Sequence, residues 1–136
     1  MTVRLNHTIV HCRDKRASAA FLARILGLAP PRAFGHFVTV TTDNDVCLDF
    51  DDASEIRPQH YAFLVDDDAF VLIFERVKAE GIDYFADPGH HRRGELNTRD
   101  AGQGFYFDDP DGHNLEVLTR RYGSASPAAA TEASIP

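Results

Sequence analysis

The sequence predicts a mixed α+β fold built from two copies of a βαβββ-like module. The 136-residue chain is long enough for one hydrophobic core and too short for two independent ones. Residues 6–28 can be superimposed on residues 59–82, and strand and turn signals follow each copy. Because one helix covers one face of each small sheet, we expect the modules to pair and form a concave mixed sheet.

The elements of the first module follow in order. A short apolar run opens at His7, and the helix after it has Asp14 as its expected N-cap and Gly27 as the residue that stops it. Alternating β-branched residues predict a strand over residues 36–42, and a returning strand over residues 46–50 follows an acidic turn.

The second module repeats this pattern. His60 takes the position of His7, a helix is expected to start within residues 66–68, and Gly81 is expected to end it. The remaining expected segments are an irregular stretch over residues 87–104 and strands over residues 105–107 and 114–119.

The two modules, residues 1–55 and 56–122 approximately, are expected to form a single domain over residues 1–122. Residues 123–136 are rich in small residues and proline and lack periodicity. We expect them to be a low-complexity tail outside the core.

Charge and composition exclude several function classes. The formal charge of −7 argues against a protein that binds nucleic acid through its phosphates, and an anionic membrane surface is disfavoured for the same reason. No signal peptide or membrane-spanning stretch is present, so we expect a soluble, cytoplasmic protein. Cys12 and Cys47 are expected to be free thiols.

Four polar side chains lie in or beside apolar strands. They are His7, His60, Glu116 and Asp49. A carboxylate inside an apolar strand is costly to bury without a partner, and nitrogen and oxygen donors suit Fe, Mn, Ni, Co or Zn. Two alternatives remain open: the histidines are ordinary hydrogen-bonded residues, and the carboxylates face solvent. Asp49 is the weakest candidate, because strand ends tolerate Asp.

Other polar residues are candidates for substrate contacts. His36 begins a strand and could line the cavity as an acid or base. Donors for a substrate carboxylate or phosphate lie in the irregular stretch, where a solvated loop is the alternative; they are Arg92, Arg93, Asn97 and Arg99. His113 follows a turn glycine and is expected to be exposed.

The motifs LNHTIV with His7, QHYAFLV with His60, and GFYFDDPDGHNLEVL with Glu116 resemble the vicinal-oxygen-chelate superfamily. That superfamily includes glyoxalase I, fosfomycin-resistance thiol transferases, type I extradiol dioxygenases and bleomycin-resistance proteins. The resemblance covers residues 3–122. It implies the glyoxalase/bleomycin-resistance/dioxygenase fold, with a divalent metal ion held by His7, His60 and Glu116 and completed by substrate oxygens.

The resemblance also implies roles for two further residues. Tyr106 aligns with a substrate-contacting tyrosine of the fosfomycin enzymes, and Asp49 aligns with the fourth ligand of glyoxalase I, a glutamate. The shorter aspartate departs from the glyoxalase I pattern, and the stretch over residues 87–104 departs from the loop of the fosfomycin enzymes.

The implied function is metal-dependent chemistry on a small, oxygen-rich metabolite or antibiotic that chelates the ion. Dioxygenase, lyase or isomerase, and thiol-transferase reactions remain open. The alternative is a non-catalytic protein that binds a small molecule or drug, as bleomycin-resistance proteins do. The resemblance further implies a homodimer, in which each chain encloses its own site or the chains exchange modules.

Overall fold

A computed structural model describes residues 1–125. The chain folds into two compact units. Unit 1 contains Met1–Pro58 together with Asp109–Asp111, and unit 2 contains Gln59–Asp108 and the described residues from Gly112 onward. Most of the predicted tail, residues 126–136, lies outside the described residues.

Unit 1 has the predicted βαβββ order. Its elements are β1 (His7–Cys12), α1 (Lys15–Leu26), β2 (Arg32–Phe34), β3 (Phe37–Thr41) and β4 (Cys47–Asp52). The sheet order is β1-β4-β3-β2, with β1 parallel to β4 and the other pairs antiparallel. The sequence did not locate β2, because a strand of three exposed residues carries no alternation of apolar and polar side chains.

Helix α1 begins and ends where the sequence predicts. The Asp14 carboxylate accepts hydrogen bonds from the backbone N–H groups of Arg16 and Ala17, both at 3.1 Å. Gly27 closes the helix in the left-handed conformation at φ 70°, which glycine adopts without a steric penalty. Phe21 and Ile25 lie on its buried face, as expected from their spacing.

Unit 2 consists of β5 (His60–Leu64), α2 (Asp67–Ala79), β6 (Gly104–Asp108) and β7 (Asn114–Leu118), in the sheet order β5-β7-β6. Asp66 caps α2 by accepting the Ala69 N–H at 2.8 Å. In place of a third strand after α2, Phe85 makes isolated bridges to Arg93 and Tyr106.

The register of unit 1 places a row of side chains across all four strands. Ile9 pairs with Asp49, Asp49 with Thr39, and Thr39 with Arg32. Because side chains alternate between sheet faces, these four residues share one face, and the apolar core residues Val10 and Phe50 lie on the other. The row therefore belongs to the face that the core does not use.

The turn between β6 and β7 belongs to unit 1 by its contacts. The Asp111 carboxylate is buried and accepts hydrogen bonds from the Ser18 hydroxyl at 2.6 Å and the Arg13 N–H at 3.0 Å. Burial raises the pKa of the Cys12 thiol to about 11, and the negative charge of Asp111 adds to the rise. Cys12 is buried and Cys47 half-buried, and both are free thiols.

His113 is not exposed as predicted. Its side chain is buried in unit 2, where Nδ1 accepts a hydrogen bond from the Gln59 N–H at 3.0 Å and the ring meets the edge of Tyr61. The turn glycine before it suggested a surface position, but the histidine satisfies a buried backbone donor. None of the helices within residues 1–125 is long and apolar enough to cross a membrane.

Candidate functional site

In unit 2, β5 and β7 bring His60 and Glu116 together. The parallel register pairs His60 with Asn114 and Ala62 with Glu116. Glu116 lies two residues beyond the partner of His60, so the His60 and Glu116 side chains lie on the same face of the sheet. His60 Nε2 lies 3.1 Å from Glu116 Oε1, and His60 Nδ1 lies 2.9 Å from the backbone oxygen of Asn114.

Both ring nitrogens of His60 therefore face oxygen acceptors. The Asn114 carbonyl cannot donate, so Nδ1 carries a proton toward it. In neutral histidine, Nε2 then presents its lone pair to the Glu116 carboxylate, an arrangement that needs an additional proton or a cation. Metal-binding histidines commonly donate Nδ1–H to a carbonyl, which leaves the Nε2 lone pair free to bind the metal. The chemistry of this pair fits a divalent metal ion.

Tyr106 and Arg99 support Glu116. The Arg99 Nη1 group donates a hydrogen bond to the Tyr106 hydroxyl at 2.7 Å, and the Tyr106 hydroxyl is hydrogen-bonded to Glu116. Burial raises the pKa of Tyr106 to about 12; the Glu116 charge adds to the rise and Arg99 opposes it. Since Arg99 occupies the phenol oxygen as a donor, the phenol proton points to Glu116. The Tyr106 ring also stacks on His60, with 5.8 Å between ring centroids.

Asn114, which is not among the residues predicted from the sequence, holds a loop beside this cluster. Its side-chain amide donates to the Pro88 carbonyl at 3.0 Å and its Oδ1 lies 2.9 Å from His90 Nε2. The His90 ring stacks on Phe85 with 4.2 Å between centroids. The period of two along β7, which puts Asn114 on the same face as Glu116, is the signal that could have identified it.

Asp87 organises the same loop. Its carboxylate accepts the His91 N–H at 3.0 Å and the Arg92 N–H at 2.7 Å. The hydrogen bond from His91 is the main reason that the pKa of Asp87 is lowered. The loop is thus held by hydrogen bonds from its own backbone to Asp87 as well as by Asn114 of β7.

Unit 1 contains a cavity of about 500 Å³. His7, Cys47 and Asp49 line it. His7 Nδ1 lies 2.7 Å from Asn6 Oδ1, so a donated Nδ1–H leaves Nε2 as an electron-pair donor. Asp49 is 6% exposed, and its carboxylate accepts a hydrogen bond from the Thr39 hydroxyl at 2.8 Å.

The structure brings together only part of the predicted site. The His36 side chain is 69% exposed and lies 3.7 Å from Asp51. Arg92 pairs with Glu95 at 3.0 Å and Arg93 with Asp83 at 2.8 Å, all at the surface. 

Asn97 serves the loop itself, because its Nδ2 donates to the Ala86 carbonyl at 2.9 Å and its Oδ1 accepts the Arg99 N–H. Of the four predicted loop donors, Arg99 is the one that the structure joins to the cluster of His60, Tyr106 and Glu116. Within residues 1–125, no three His, Cys, Asp or Glu side chains form a group that could hold a metal ion.

Comparison with known proteins gives a consistent assignment. The model of the Glyoxalase/Bleomycin resistance protein/Dioxygenase superfamily matches residues 4–117. Glutathione transferase FosA of Serratia marcescens is 31% identical over 120 residues, which covers 83% of this chain and 78% of that protein.

Two solved structures are more similar in sequence. Oxidase ChaP-H1 is 61% identical with a TM-score of 0.88, and the match covers 90% of this chain and 99% of that one. Oxidase ChaP-H2 is 56% identical with a TM-score of 0.90, over 93% and 100% of the two chains.

Proposed function

The chain belongs to the Glyoxalase/Bleomycin resistance protein/Dioxygenase superfamily, and from this premise we propose that it is a divalent-metal-dependent enzyme whose ion is held by His7, His60 and Glu116. One observation carries the proposal. The Asn114 carbonyl fixes His60 Nδ1, and Nε2 faces the Glu116 carboxylate at 3.1 Å. Its substrate is a small molecule that chelates the ion through two oxygens.

We further propose that the reaction is an oxidation. Two proteins that are 61% and 56% identical to this chain are named oxidases, which favours oxidation over isomerisation or thiol transfer. A site of two histidines and one carboxylate supports oxygen activation when the ion is Fe(II).

The surrounding residues hold the ligands and their protons. Asn114 fixes the tautomer of His60. The Tyr106 hydroxyl donates a hydrogen bond to Glu116 and accepts one from Arg99. With a pKa near 12, Tyr106 acts at neutral pH as a hydrogen-bond donor rather than as a base. Asp49, buried in the cavity of unit 1, is proposed as an additional ligand.

Metal analysis of protein purified without an affinity tag tests the proposal. We expect about one divalent ion per wild-type chain, and affinity lowered by at least about 100-fold in His60→Gln, Glu116→Gln and His7→Gln. His91→Gln is the matched control, because the His91 side chain is 86% exposed and pairs with Asp87. Equal, sub-stoichiometric metal in the wild type and the three ligand variants would contradict the metal site.

Oxygen uptake separates an oxidase from a protein that only binds small molecules. We expect Fe(II)-loaded protein to consume oxygen with a catechol-type substrate, and Zn(II)-loaded protein to consume none. Tight binding of the same compounds without turnover under any metal would favour the non-catalytic binder. Conversion of an epoxide with glutathione would favour the thiol transfer named for FosA.

A further inference from the structure

The cavity of unit 1 contains a cation that no carboxylate within residues 1–125 neutralises. Arg32 lines it from β2, and within residues 1–125 the guanidinium has no hydrogen-bond or ion-pair partner. By comparison, two exposed arginines in the loop of unit 2 are each paired with a carboxylate: Arg92 with Glu95 and Arg93 with Asp83. An unpaired guanidinium beside a cavity presents donors in a fork that fits a carboxylate or a similar anion.

Asp49 does not fill this role for Arg32. In the row across the sheet, Thr39 lies between them, which places the two backbones two strands apart, at about 9–10 Å. The Thr39 hydroxyl donates a hydrogen bond to the Asp49 carboxylate at 2.8 Å. The cavity therefore has a negative end at Asp49 and a positive end at Arg32, and a bound anion is attracted to the second and repelled from the first.

The rest of the wall is apolar. Ile9, Phe34 and Phe37 line the cavity, and the Phe34 and Ile9 residues are 69% and 46% exposed. A ligand that covers large apolar side chains beside a cavity of about 500 Å³ removes apolar surface from water, and this lowers the free energy of the complex.

We infer that the cavity of unit 1 binds an organic anion with an apolar body, whose acidic group lies at Arg32 and whose body lies against Ile9, Phe34 and Phe37. This inference rests on the proposed function in one respect, since the bound molecule is taken to be the substrate of that enzyme. It adds the class of substrate and makes Arg32 the residue that selects for its charge.

A pair of fluorescent probes tests this on the full chain after its metal has been removed. Anilinonaphthalene sulfonate is an apolar anion, and N-phenylnaphthylamine has the same body without the sulfonate. We expect Arg32→Met to weaken binding of the sulfonate about tenfold and leave binding of the neutral probe unchanged. Arg16→Met is the matched control, because Arg16 is an exposed residue of α1 that does not line the cavity.

A second variant tests the apolar wall. Phe34→Ser is expected to weaken binding of both probes by a similar factor, because it removes apolar surface and no charge. The inference is overturned if the wild type binds neither probe, if Arg32→Met and Arg16→Met behave alike, or if Phe34→Ser leaves both affinities unchanged. Since no metal is present, this result is independent of the metal analysis: probe binding with the expected selectivity but no metal binding would refute the proposed enzyme alone.

Discussion

Tyr106 shows how a single residue in this fold acquires its chemistry. Burial and the charge of Glu116 both favour the neutral phenol, and the hydrogen bond from Arg99 opposes them only in part. The raised pKa means that the folded state binds the phenol proton more tightly than the unfolded state does. Its contribution to stability is therefore fully present below pH 10 and is lost as the pH rises toward 12.

This gives a prediction for the pH dependence of the proposed enzyme. Activity should show no loss from ionisation of Tyr106 between pH 7 and pH 10, because the phenol keeps its proton throughout that range. The measurement is kcat/KM against pH for the wild type and Tyr106→Phe. A basic limb below pH 10 that is present in the wild type and absent from Tyr106→Phe would show that the phenol ionises there.

At the scale of the element, α1 depends on its cap. Asp14→Ala removes the acceptor of two backbone N–H groups, so we expect the free energy of unfolding to fall by about 0.5–2 kcal/mol. Urea denaturation measures the change. Asp43→Ala removes the same charge from an exposed turn of unit 1 and should alter the free energy of unfolding by less than about 0.5 kcal/mol. Equal effects of the two variants would show that charge, rather than capping, is responsible.

Local sequence signals were enough to predict such elements. Asp14 and Gly27 mark the ends of α1 because capping and the left-handed conformation depend on a few neighbouring residues. The partner of Arg99 could not be predicted in this way. Three arginines lie in an irregular stretch, and only the fold decides that Arg99 reaches Tyr106 while Arg92 and Arg93 pair with surface carboxylates.

At the scale of the whole molecule, the homodimer that the family resemblance implies has two possible arrangements, which mixed dimers would distinguish. If the chain forms the expected homodimer, coexpressed His7→Ala and Glu116→Ala chains should form mixed dimers. If the chains exchange modules, each mixed dimer contains one intact and one doubly altered site, and random mixing restores about a quarter of the wild-type metal content. If each chain encloses its own site, no intact site forms and nothing is restored. Metal analysis of the mixture, with each variant alone as control, gives the answer.

The turn at Asp109–Asp111 has a consequence for how this chain can be divided. The internal repeat suggests two interchangeable halves, yet Ser18 and Arg13 of the first half use an acceptor encoded about ninety residues later, near the end of the second. A fragment that ends at Pro58 would lose Asp111 and leave a buried hydroxyl without its acceptor. A chimera of halves from related chains, or a split version of this chain, must therefore keep the turn at Asp109–Asp111 together with α1. The segment that repeats in the sequence is thus different from the segment that is stable as a folded unit.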